Sequence, residues 1–456
     1  MLHFLGFMLL SIGAVMLVPA LLTPIFNEIH LAVFFLAPAI LLVIAGYYIR
    51  KKSRPQELSL GEAMVVATVT WIIFAAFSSV PYVGGVGMSV EDAYFESISG
   101  LTATGLTMIP TDPVASHLVI SEIGMVDGVT YIELYNPTGN QISLAGSLNL
   151  WMASGENEIF VENIAWRNSV IGPHGYFLLA SASSVGGVGA DAVFSTPLPE
   201  IGAIAIGLFS DSFYNATDRL AWGGLAVESL AEGAPAPYTL TAGSSLERRI
   251  SSSLSEKETI GKPWGNAHDT DFNANDFVFH SDYYSPDNSD VSRPPLLNIE
   301  RTPRTILLWR SMTEWVGGLG VIVLFLSALV GFGKAARKMY VAEARTQFIE
   351  PNVVQTARSL WMIYVVLTII GAVLLYVVSL PNASVFESVN HAMTGIATGG
   401  FSVRNDSFAG YGGAVLAVAI LIMIAGATSF AVHRLVFRGA WREFFRNIEV
   451  KFMLIL

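Results

Sequence analysis

The chain has 456 residues, 53% of them hydrophobic and only 13% charged, with a mean hydropathy of +0.55 and a net charge of −11. Soluble globular domains carry about 25% charged residues, so this composition points to lipid contact. The absence of cysteine excludes a disulfide framework, a cysteine-ligated zinc site and a thiol nucleophile.

In chain order, Leu2–Phe26 and Leu31–Ile49 are apolar runs long enough to cross a bilayer, which takes about 20 residues. The first run has neither a charged leading segment nor a clear small-residue cleavage site, and a second run follows at once, so it reads as a retained helix. Met64–Val83 is a third span. Asp92–Gly100 is amphipathic and too short to cross, and it leads into the Thr/Gly run Ser99-Gly100-Leu101-Thr102-Ala103-Thr104-Gly105-Leu106-Thr107.

An acidic block follows. Thr111–Glu300 holds 23 acidic and 7 basic residues, against 13 and 18 in the remainder. This split implies two environments and argues against nucleic acid as a partner of the block. Within it, Leu118–Ile123, Thr130–Tyr135, Tyr176–Ala180, Ala203–Phe209 and Arg219–Trp222 have period-2 character and read as strands of a small β-sandwich. Ser281–Arg293 reads as a linker back to the membrane. Asp211, Ser212 and His174 lack any hydrolase frame such as GxSxG. Asp269, Asp271 and Asp276 lack the EF-hand pattern and read as a solvated loop.

Spans resume at Thr305–Phe332, Leu360–Leu380 and Gly412–Val436, and another apolar run begins near Val450. Basic clusters follow the second span (Arg50, Lys51, Lys52, Arg54), the fourth (Lys334, Arg337, Lys338, Arg345) and the sixth (Arg434, Arg438, Arg442, Arg446). The positive-inside rule puts all three in the cytoplasm and the acidic block outside the cell.

After the fifth span, the short stretch Glu387–Gly395 leads into Thr394-Gly395-Ile396-Ala397-Thr398-Gly399-Gly400-Phe401-Ser402. This run matches the first Thr/Gly run class for class at an offset of 295 residues. Each copy reads as a span, a re-entrant half-helix, a Thr/Gly run and another span. Non-helical backbone at membrane depth is tolerated where it lines a water-filled cavity, and carbonyls turned inward there can replace the hydration shell of an ion. Glu96 and Glu314 either attract cations, cap half-helices or sit in the interface, while Gly317, Gly318 and Gly320 read as packing residues.

The run Phe95-Glu96-Ser97-Ile98-Ser99-Gly100 into Gly105, the segment from Trp309-Arg310-Ser311-Met312-Thr313-Glu314-Trp315 to Gly320, and the stretch from His391 to Ser402 resemble the Trk/Ktr/HKT potassium transporters. The two leading helices match the extra N-terminal pair of bacterial Trk proteins. The resemblance implies a backbone filter formed by Thr102, Ala103, Thr104, Gly105, Ala397, Thr398, Gly399 and Gly400, with K⁺ held by backbone at Thr104, Gly105, Gly399 and Gly400. Glycine at 105 favours potassium, because serine there accompanies sodium transport in some plant members. It also implies homodimers and a cytoplasmic TrkA/KtrA-like nucleotide-binding regulatory ring, docked on Lys334–Arg345 and Arg434–Arg446.

The family has four repeats and this sequence two, so a missing C-terminal half or a partner chain is expected to complete the pore. The segments 119–123, 131–137 and 243–249 resemble the lamin-tail domain, an immunoglobulin-like sandwich. The fold expected is therefore an α-helical polytopic membrane protein with an inserted all-β sandwich. Its segments are 1–60 (two helices), 61–111 (first span and pore loop), 112–300 (insert), 301–345 (second span and loop), 346–446 (second repeat) and 447–456 (a further repeat beginning). The function expected is potassium uptake across the cytoplasmic membrane without enzyme chemistry or cofactor. The alternative is a surface-binding or sensor protein anchored by a degenerate transporter scaffold.

Overall fold

In the computed structural model the described residues are 1–54, 59–111, 114–144, 148–154, 159–162, 170–208, 212–224, 229–252, 264–281, 285–295, 298–320, 353–381, 384–442, 446 and 451. The chain divides into two compact units, Met1–Thr111 with Ile299–Leu456, and Asp112–Asn298. The expected basic loop Lys334–Arg345 and the apolar run from Val450 fall outside the described residues, apart from Lys451 in the latter.

The first unit is helical. Helices α1 (Leu2–Leu22) and α2 (Ala32–Lys52) pack closely, with Gly6 and Gly46 meeting backbone to backbone. Helix α3 (Leu60–Ser78) starts with a capping box, in which Glu62 N–H donates to Ser59 Oγ and Ser59 N–H donates to Glu62 Oε2. The predicted third span continues through Ser79 into α4 (Val80–Val86), where Pro81 sits in the first turn and loses no helical hydrogen bond. Then follow α5 (Val90–Leu101), α6 (Arg304–Leu319), α7 (Val353–Val378), α8 (Val385–Ile396) and α9 (Gly413–Ala427). Among the described residues four helical segments, Leu2–Leu22, Ile29–Lys52, Gly61–Val86 and Gln355–Val378, are long and apolar enough to cross a membrane.

The predicted single span Gly412–Val436 is two helices, α9 and α10 (Phe430–Phe437). Extended backbone at Thr428 and Ser429 breaks it, and one carbonyl freed by the break, that of Ala425, lies 2.8 Å from His433 Nε2. The start of α6 is served from a distance: Arg304 and Thr305 N–H donate to the Glu28 carboxylate at 2.8 and 2.9 Å, an acid placed where the helix dipole favours it.

Among the described residues, and beside two small two-stranded sheets, the second unit is built on a six-stranded and a four-stranded sheet. In one, β1 (Val119–Val126) and β2 (Val129–Tyr135) form a hairpin flanked by β5 (Tyr176–Ala180), β6 (Ala192–Val193), β9 (Ser244–Arg248) and β10 (Phe277–His280), in the order β6-β5-β2-β1-β9-β10. The other has the order β8-β7-β3-β4, from β3 (Leu148–Ala153), β4 (Ile159–Glu162), β7 (Gly202–Leu208) and β8 (Asp218–Trp222). Ile120, Ile132, Leu179 and Leu246 of the first sheet share one buried core with Leu150, Ile204, Leu220 and Trp222 of the second.

The alternation expected of one-sided strands is absent from β1, β2 and β5, which are buried on both faces. Tyr131, Leu178 and Val185, and separately Val119, Tyr135 and Tyr176, form further clusters. The segment Ser281–Arg293 is not a free linker where it is described. Asp287 N–H donates to Glu133, Tyr135 Oη to the Arg293 carbonyl and Tyr176 N–H to the Val291 carbonyl. Buried Glu133 and Tyr135 require such partners.

Asp269 and Asp276 are also not in a solvated loop. They surround Arg248, which is fully buried and donates to both Asp218 oxygens at 2.8 Å and to Asp269 at 3.1 Å. Asp218, Glu232 and Asp269 each bring a carboxylate oxygen within 4.8 Å of the others. The Arg248 guanidinium already supplies the cation of that cluster.

Burial pushes the Glu133 carboxyl up to about 8 and the Glu232 carboxyl up to about 9, with neighbouring carboxylates adding to the effect. The folded unit therefore holds protons that an unfolded chain releases near 4.5, and stability is lost as pH rises through that window. For purified residues 112–298 the melting temperature should fall by about 5 °C or more between pH 5 and pH 9. Glu133→Gln should flatten this dependence, as followed by circular dichroism.

Candidate pore site

The two short helices are structural copies. Helix α5 and helix α8 are each 12 residues long and are related by the 295-residue offset. Ser89 Oγ accepts from Asp92 N–H, and Ser384 Oγ from Glu387 N–H. Beyond each helix the backbone reverses in the same way. Ala103 and Thr398 have φ of +51° and +55°, and Gly105 and Gly400 have +75° and +98°. Thr104 N–H donates to the Ser99 carbonyl and Gly399 N–H to the Thr394 carbonyl, at 2.9 and 3.1 Å. A left-handed residue with a side chain costs about 1–2 kcal/mol, so its use at the same place in both copies marks a turn that the surroundings impose.

The structure brings the two turns together. A side chain on Gly105 would run into the Gly399 carbonyl. Thr102, Thr104, Thr398 and Gly400 are exposed, Ala103, Gly105 and Gly399 half-buried, and Ala397 buried. Thr102 and Thr104 hydroxyls share a 2.7 Å hydrogen bond. Gly317 and Gly318 pack as expected. A methyl at Gly317 would strike the Leu101 carbonyl, and Gly426 stands in the same relation to Ile396. Helices α6 and α9 therefore match at an offset of 109 residues, from Arg304 on Gly413 to Gly317 on Gly426.

Glu96 is fully buried. Its carboxylate accepts from Thr107 Oγ1 at 3.0 Å, Met108 N–H at 2.8 Å and Arg310 Nε at 2.6 Å. Arg310 also donates to Thr107 Oγ1 and to the Ser402 carbonyl, and its guanidinium covers the Phe401 ring at 4.1 Å. One side chain thus touches both turns. In the second copy, His391 and Ser402 occupy the positions of Glu96 and Thr107, with Nε2 and Oγ 3.0 Å apart. Reading the sequence did not single out Arg310, His391 or Ser402 as bracing groups. The signal was a polar pair spaced 11 residues apart in both copies.

A family model described as TrkH, a cation transport protein, matches residues 288–455. Over those residues the chain is similar to TrkH. An uncharacterized cation transporter of Methanocaldococcus jannaschii is 36% identical over 159 residues, which is 35% of this chain and 32% of the relative. The Trk system potassium uptake protein TrkH of Escherichia coli K12 is 30% identical over 174 residues, 35% of each chain. These matches span about a third of the curated relatives. The crystal structure of the potassium transporter TrkH from Vibrio parahaemolyticus shares the fold, with a TM-score of 0.50 at 15% identity over 100% of this chain and 55% of that one. The shared fold and the apolar helices mark a helical membrane protein.

Removing one partner of a buried ion pair leaves an uncompensated charge. Arg310→Met should therefore destabilise the detergent-solubilised protein by about 3–5 kcal/mol. Adding Glu96→Gln to that variant should recover part of the loss in a thermal-unfolding assay.

Proposed function

We propose that the chain forms two quarters of a potassium uptake pore, with Thr102–Gly105 and Ala397–Gly400 as filter segments presenting backbone oxygens to a dehydrated cation. The observation that carries this reading is the pair of matched left-handed turns that meet at Gly105 and Gly399. Carbonyl dipoles held at membrane depth are the chemistry that replaces ion hydration, and the membrane potential drives the ion inward. Thr104, Gly105, Gly399 and Gly400 are the K⁺ contacts in this reading. The potassium uptake named for the Escherichia coli relative supports it.

A complete ring needs further segments, supplied by more of the same polypeptide or by a partner chain. The assembly is a multi-pass homodimer in the cytoplasmic membrane. Residues 112–300 lie on the outer face as a lamin-tail-like, immunoglobulin-like domain, and a nucleotide-binding ring docks on the basic cytoplasmic loops.

Gly105→Ser should lower K⁺ over Na⁺ discrimination in flux assays on native membranes or reconstituted vesicles, and unchanged discrimination would overturn the filter assignment. Replacing residues 112–298 by a short linker should leave uptake in place, because Ile299 N–H already donates to the Pro110 carbonyl at 3.2 Å. Loss of function on that deletion, together with no cation flux in the intact assembly, would favour the anchored binding-protein reading.

A further inference from the structure

Glu314 lies one helical turn beyond Arg310 on α6 and is fully buried. Its two carboxylate oxygens sit 3.3 and 3.2 Å from Phe401 N, which donates to them. The same carboxylate fills the space behind both turns. A side chain on Gly399 would overlap it, and one on Gly105 would come 3.6 Å from Oε1. The Phe401 amide directly follows Gly400, whose φ of +98° turns the second filter segment. An amide at such a reversal has no helical partner, so the carboxylate is its acceptor. At the 109-residue offset, the counterparts of Arg310 and Glu314 on α9 are Ala419 and Met423, neither of which can brace a turn by accepting from an amide. The clamp is therefore particular to the junction between the first and second copies.

We propose that Glu314 is the positioning residue that holds the second filter turn against the first, so that the size of the gap between Gly105 and Gly399 is set from behind by its carboxylate. This rests on the filter reading above. Glycine at 399 follows from it, since only a residue without a side chain leaves room for the carboxylate. A carboxamide keeps the shape and an oxygen acceptor, whereas an apolar side chain leaves the Phe401 amide unpaired.

The test compares Glu314→Gln and Glu314→Leu in the full assembly, with two readouts. The first is amide hydrogen exchange of residues 399–402 and 103–107 in nanodiscs. The second is the K⁺ over Na⁺ ratio and the KM for K⁺ in flux assays. Leaving a buried donor unpaired corresponds to about 5-fold or more in an equilibrium constant. Glu314→Leu should accelerate exchange at 399–402 and reduce the K⁺ over Na⁺ ratio by about that factor. Glu314→Gln should keep both within about 2-fold of the parent. Unchanged exchange at 399–402 in Glu314→Leu overturns the clamp, whether or not ions flow. Should the leucine variant fail to accumulate, Glu314→Ala and Gly399→Ala are compared with their combination. With the carboxylate gone nothing is left for a methyl at 399 to strike, so the combination should be no more impaired in K⁺ selectivity and exchange protection than Glu314→Ala alone, and a further loss in the combination overturns the proposal. Absence of flux in the parent assembly would instead overturn the potassium reading, and the exchange comparison still decides the clamp.

Discussion

A guanidinium withdrawn from water in an apolar helical unit has to be met by a full set of acceptors, because an uncompensated buried charge costs several kcal/mol. Arg310 meets that constraint with Glu96, Thr107 and the carbonyl of Ser402. Those partners come from the first short helix, the turn after it and the turn after the second short helix. Satisfying one side chain therefore ties one helix to two pieces of irregular backbone at once. The left-handed φ values at Ala103 and Thr398 persist because the surroundings over-determine them.

The helical half was largely legible. Apolar run length located α1, α2 and α3 to within about five residues, and found α7 while placing its start at Leu360 instead of Val353. The matched Thr/Gly runs at 295 residues pointed to two equivalent turns, and their backbone geometry repeats at that spacing. The interactions that brace the turns were not legible. Arg310 and Glu96 are 214 positions apart, and nothing local marks them as partners. The break at Thr428 and Ser429 was also hidden, because Gly412–Val436 is apolar on average and mean hydropathy does not register two residues that leave the helix.

In the insert, β1, β2, β5, β7 and β8 announced themselves, and β3, β4, β6, β9 and β10 did not. Strand β9, Ser244–Arg248, reads as a polar segment. It is a strand because Arg248 is drawn inside by Asp218 and Asp269 while Leu246 joins the core. Polar residues normally mark surface, yet here charge compensation reverses that rule. The same principle operates in both units: a buried arginine is ringed by acceptors distant in sequence, and each ring ties irregular segments to regular ones.

The closeness of Pro110 and Ile299 has a consequence for how such a chain can arise. A folded domain whose ends can be brought together adds to its host little more than a loop-closure entropy, which grows only slowly with loop length. The host backbone leaves at Thr111 and resumes at Ile299 with a hydrogen bond across the gap. To the helices on either side, the 187 intervening residues are a single long loop. The junction is in effect a socket, and gene rearrangement could exchange one inserted domain for another there without renegotiating a single contact around Arg310.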